Sequence, residues 1–119
     1  MELSLVQILS GLGVCVTGWL VWNFARDTEK GMRAVSHLPE QLPSVMTGRY
    51  AGFFILALAV FLNGQPGQIA VLYGVFAFVA FWDAAVYFRI GKPFGPHLSA
   101  GLASGLVAVA ALASQGGRA

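Results

Sequence analysis

Four apolar stretches, each about twenty residues long and each bounded by turn-forming residues, constrain this chain more than any other feature. They cover residues 3–24, 45–62, 69–90 and 94–114. Crossing a hydrocarbon core of about 30 Å takes roughly 20 residues of helix at 1.5 Å rise each. The first stretch holds no charge, and the second holds only Arg49, near its start. The third holds Asp83 and Arg89, and the fourth holds only His97, near its start. All five prolines (Pro39, Pro43, Pro66, Pro93 and Pro96) fall in the connections or in a first helical turn, where a missing N–H is tolerated. The expected architecture is all-α: a four-helix transmembrane bundle forming one integral membrane domain over residues 1–119.

Composition removes the competing classes. Only 10% of the residues are charged and 57% are hydrophobic, whereas a soluble domain is usually about one quarter charged. Disorder requires low hydrophobicity, which this chain lacks. Seven Lys and Arg residues and a net charge of +2 are too few to build the clustered basic face of a nucleic-acid binder. Cys15 is the single cysteine, so neither an intrachain disulfide nor a cysteine-based zinc site is available, and the redox environment stays undetermined. The first stretch does not read as a signal peptide. It opens Met1-Glu2-Leu3, runs too long, and carries Trp19, Trp22 and Phe24 where small residues should stand.

With four spans, both termini lie on one side, and the connections 25–44 and 91–93 lie on the other. Arg26, Lys30, Arg33, Arg49, Arg89 and Lys92 belong to the second side and only Arg118 to the side of the termini. Cytoplasmic loops collect Lys and Arg. This points to termini outside and the 25–44 loop in the cytoplasm; the location expected for the chain is a bacterial inner membrane. Within that loop, residues 28–38 can form a short interfacial helix presenting Met32, Val35 and Leu38 to lipid. An irregular polar connection containing Gly31 is the equal alternative. Residues 63–67, Asn-Gly-Gln-Pro-Gly, are a turn sequence.

Ionisable side chains inside a span are costly and point into the bundle or a wet cavity. By helical rise, Asp83 lies about 10 Å from the cytoplasmic end of the third span and Arg49 roughly 6 Å into the second. His97 opens the fourth span on the same side. The three groups are expected to converge at one level, with an Arg49–Asp83 ion pair that either fixes helix register or serves a ligand. Tyr87 shares the Asp83 face at i+4, Tyr50 adjoins Arg49, and Trp82 neighbours Asp83 about a quarter turn away. Arg89 is rotated off that face and reads as a snorkelling interface residue. His37 reads as a solvated loop side chain, and His97 as either an interfacial histidine or a ligand. Phe76, Phe78, Phe81 and Phe88 are packing or lipid-facing residues by default.

Small residues at four-residue spacing let helix backbones approach closely. They occur as Gly48 and Gly52 in the second span, and as Gly101 and Gly105, continued by Ala108, in the fourth. Gly11, Cys15 and Gly18 do the same in the first. Fifteen glycines also produce such spacings by chance. A gap beside His97, Gly101 and Gly105 could admit a flat ligand such as a porphyrin, although no second axial ligand is evident. The cofactor is therefore left unassigned and no metal site is expected. There is no P-loop, dinucleotide fingerprint, H-E-x-x-H or nucleophile elbow. The outer halves of the spans carry no charge, which disfavours a channel or pump made by one copy.

From Thr47 onward the order of motifs is specific. Gly48-Arg49-Tyr50, Trp82-Asp83-Ala84, Arg89-Ile90-Gly91-Lys92 and Pro96-His97 resemble a family of small four-helix bacterial and fungal membrane proteins that is distantly DoxX-like, a domain of unknown function. In that family Gly-x-Arg-Asp opens the second helix, Gly-Asp sits late in the third, Arg-x-Gly closes it and His-Gly opens the fourth. Here Tyr50, Trp82 and Leu98 replace the family's acidic residue and two of its glycines. The resemblance covers roughly the last 75 residues. It implies a four-helix fold with a polar cluster and brings no established activity.

Three functional readings follow. The first is a small membrane accessory subunit or binding module, whose Arg49, Asp83 and His97 cluster fixes the bundle or holds a lipophilic partner, with Tyr50, Trp82 and Tyr87 beside Arg49 as binding residues. The second is an acid–base enzyme embedded in the membrane (an isomerase, cyclase or epoxide-opening catalyst). In it Asp83 exchanges the proton, His97 shuttles it, and Tyr87 and Trp82 stabilise a cationic intermediate. The third is a homodimeric carrier of a hydrophobic cation with Asp83 as counter-ion. Expected partners are membrane lipid, a lipophilic small molecule, and a larger membrane complex or second copy. Nucleic acid is not among them. Purification alone or within a complex separates the first reading from the others, and turnover by Asp83→Asn tests the second.

Overall fold

The computed structural model of the chain describes residues 2–116. Arg118, counted above with the termini, lies outside them. The fold is all-α, with no strand among the described residues. Its helices are α1 (Leu5–Arg26), α2 (Thr28–Ala34), α3 (Leu42–Asn63), α4 (Pro66–Arg89) and α5 (Gly95–Gly116), with a 3₁₀ turn at Pro39–Gln41. Four helices, α1, α3, α4 and α5, are long and apolar enough to cross a membrane. They correspond to the four stretches read from the sequence, each end lying within about three residues of its expected position, the ordinary uncertainty of helix ends. The breakers sit as expected. Pro66 opens α4, while Pro43 and Pro96 lie in the first turns of α3 and α5.

The chain divides into two compact units, Met1–Arg49 and Tyr50–Ala119. In the first, Ser4 and Gln7 form a reciprocal capping box that starts α1. Asp27 ends α1 and caps α2, accepting a hydrogen bond from the Lys30 N–H at 3.1 Å. Of the two expectations for the first loop, the helical one forms over Thr28–Ala34. Its anchor is Gly31, which is buried beneath the Phe24 ring. A Cβ at that position would lie 2.8 Å from a ring carbon. Ser36, at φ 59°, turns the chain out of α2, and the His37 N–H donates back to the Met32 carbonyl at 2.9 Å. Met32 and Val35 are half-buried and Leu38 is exposed.

In the second unit, α4 and α5 pack antiparallel, which places Gln115 by Gly67 and Phe81 by Gly101. The buried seam consists of Ala70, Ala77 and Ala84 from α4 facing Gly101, Ala108 and Ala111 from α5. The seven-residue intervals give the narrow seam of a coiled-coil contact, and side chains this small let the backbones approach. On α5 the seam passes through Gly101, half-buried Ser104, Ala108 and Ala111. It thus alternates steps of three and four residues, with Gly105 half-buried beside it. Outside the seam the large apolar side chains face outward: Val71, Phe78, Phe88, Leu102, Leu106 and Val109 are all exposed. Water would not tolerate that surface on so small a core, whereas lipid matches it.

Candidate functional site

Asp83 lies two turns before the end of α4. That helix closes with Gly91 at φ 69°, where a left-handed residue lets the Lys92 N–H donate to the Tyr87 carbonyl at 2.9 Å. The chain then reverses over five residues into α5, whose first turn carries His97. Antiparallel counting from this tight connection puts the two side chains side by side. His97 Nδ1 is 3.9 Å from Asp83 Oδ2, and the side chains are 33% and 37% exposed respectively. The Tyr87 ring, one turn past Asp83, lies parallel to the imidazole with centroids 4.9 Å apart and 9° between planes. This stacking fixes the plane of the His97 ring while leaving its edge toward Asp83.

Beside this pair is a cleft of about 250 Å³. Its polar end is formed by Asp83 and His97, and Ser104 adds a hydroxyl. Tyr50 and Phe53 of α3 and Phe76 of α4 supply aromatic wall, and Val79, Ala80 and Ala100 complete it. The aromatic residues interlock: Tyr50 meets Phe53 edge-on with centroids 5.8 Å apart, and Phe53 meets Phe76 at 5.3 Å. The volume lies just below the usual range of ligand clefts, about 300–1,000 Å³, and the composition is the usual one of apolar walls with a few convergent polar groups.

Three of the residues singled out from the sequence, Asp83, His97 and Tyr50, line this cleft, and Tyr87 supports it from behind His97. Trp82 is 63% exposed and packs against Phe78 instead. Arg49 is the last residue of the first unit, where its Nη2 stands 3.4 Å from His37 Nε2. His37 keeps its place in the connection after α2, half-buried, with that guanidinium as its neighbour. Sequence reasoning passed over Phe53, Ala100 and Ser104 and treated Phe76 as filler. A helical signal for three of these was present: Phe76 precedes Asp83 by seven residues, and Ala100 and Ser104 follow His97 by three and seven, so each pair shares a face. Groups of three or more metal-ligating residues are absent among the described residues.

Comparison with models of known families, with characterised proteins and with solved structures finds no match. Fold and site together define the class: an all-α chain with four helices of membrane-crossing length. One helical hairpin of that chain carries an acid–imidazole pair at the polar end of an aromatic cleft.

Proposed function

We propose that this protein is a small membrane binding module for a lipophilic molecule, held in the cleft between α3, α4 and α5 of the second unit. One observation carries the reading. An aromatic cleft and the Asp83–His97 pair coincide at one end of the hairpin. An ionisable group retained within a span at a cost to stability is a functional marker. The wall selects an apolar body and the pair selects a polar head. The resemblance to the small four-helix membrane family belongs with this reading, because two of its motif positions, Asp83 and His97, are the ones at the polar end. Asp83 and His97 are also the groups an acid–base step would use, and such a step would act on the same bound molecule.

The asymmetry of Lys and Arg supports a cytoplasmic 25–44 loop in a bacterial inner membrane, with the cleft in the cytoplasmic third. A maleimide that does not cross membranes should then label a cysteine placed at Lys30 only after the cells are opened.

The binding reading is tested by native mass spectrometry of the protein extracted gently from its own membrane, beside a variant with Ala100→Trp filling the cleft. The wild type should carry a small lipophilic molecule near one per chain, and the filled variant should lose it. Equal occupancy in both, or none in the wild type, contradicts the proposal.

A further inference from the structure

Resting on that binding reading, we infer that the molecule in the cleft carries a primary or secondary ammonium group, seated between Asp83 and His97. The separation of the pair is the starting point. At 3.9 Å, Asp83 Oδ2 and His97 Nδ1 are too far apart for a direct hydrogen bond, which spans about 2.7–3.2 Å. They are close enough for one donor nitrogen to reach both at about 2.9 Å. With an ammonium in the gap, the carboxylate accepts, and His97 accepts at Nδ1 by carrying its proton on Nε2. Serving both acceptors takes a group with at least two N–H bonds. An ammonium provides them together with the charge that matches Asp83.

Three further features agree. Within the second unit Asp83 has no ion-pair partner besides His97 among the described residues, and none of the residues lining the cleft is Lys or Arg. A carboxylate at membrane depth is stabilised by a cation, and the ligand would supply it. Tyr50, Phe53 and Phe76 present aromatic surface, which attracts a cation in a desolvated site. The Tyr87 stack holds His97 so that the gap need not close when the cleft is empty. A quaternary ammonium lacks the N–H bonds the gap requires, and a carboxylate ligand would be repelled by Asp83. The indicated class is an amphiphilic amine whose apolar body lies along the aromatic wall.

Three probes of nearly equal size separate the possibilities: 4-hexylbenzylamine, 4-hexylbenzyl alcohol and 4-hexylbenzoate. Each is titrated into the full chain in lipid nanodiscs, with empty nanodiscs as the blank. The amine should bind at least about tenfold tighter than the alcohol, as a charge-assisted hydrogen bond to a partly buried carboxylate implies, and the benzoate should bind weakest. Asp83→Asn should bring the amine to within about twofold of the alcohol while leaving alcohol binding in place, and Asp83→Glu should keep the preference. Continued alcohol binding shows that the variant is folded. Equal binding of amine and alcohol in the wild type overturns the ammonium assignment and leaves the binding module standing, as does an amine preference that survives Asp83→Asn. Absence of saturable binding for all three overturns both.

Discussion

The two ends of the α4–α5 hairpin carry different chemistry on one scaffold. At the end closed by Gly91, Asp83 and His97 face each other beside a cleft of about 250 Å³. At the other end, around the α3–α4 turn, the cleft is larger, about 840 Å³, but its polar groups are the carboxamides of Gln65, Gln68 and Gln115 among residues such as Val71 and Val75. Two of these amides have close neighbours. Asn63 Nδ2 donates to Gln68 Oε1, and the Gln115 amide rests on Gly67, where a Cβ would come within 2.9 Å of its nitrogen. Neutral amides at a helix end cost little near an interface, whereas an aspartate inside a span costs several kcal/mol unless something compensates it. The smaller cleft is therefore the one that demands a functional explanation. Volume alone would select the other end.

That contrast can be broken or sharpened by substitution. The largest effect belongs to Asp83→Asn, which should remove the roughly tenfold preference for the amine probe. Next is the shared seam. Gly101 lies under the Phe81 ring, where an added Cβ would meet a ring carbon at 2.6 Å. Gly101→Val should destabilise the hairpin by about 1–3 kcal/mol, the usual cost of overpacking, read as a lower midpoint in detergent unfolding. An unchanged midpoint would mean that the helices do not pack through Gly101. The smallest effect should come from Gln115→Ala at the carboxamide end, with the dissociation constant of the amine probe staying within about twofold of the wild type, since only a distant exposed side chain is lost. A large loss there would erase the distinction between the ends.

How far the sequence discloses this molecule depends on whether the signal is local. The four long helices are legible because hydropathy and proline agree, and both act within a few residues. Asp83 and His97 are legible as neighbours because a short connection forces antiparallel counting. Arg49 shows where this stops. Its depth along the helix was readable, but its contact with His37, twelve residues earlier, depends on how the chain leaves α2 through Ser36. The existence of α2 was equally undecidable, because seven residues containing Gly31 form a helix only when Phe24 covers that glycine. The seam was hidden for a different reason. Alanine at seven-residue intervals is inconspicuous in a sequence rich in Ala and Gly, and only the packed pair shows that Ala70, Ala77 and Ala84 are the ones enclosed.

The most direct test of the central claim, that the lipophile sits at the Asp83 end, is photo-crosslinking with a diazirine-bearing 4-alkylbenzylamine in nanodiscs, followed by peptide mapping. Crosslinks on Tyr50–Phe53, Phe76–Ala80 and Ala100–Ser104, displaced by unlabelled amine, are the predicted result. Labelling centred on Gln65–Val75, or spread over outward-facing residues such as Phe88 and Leu106 and not displaced by competitor, would contradict it.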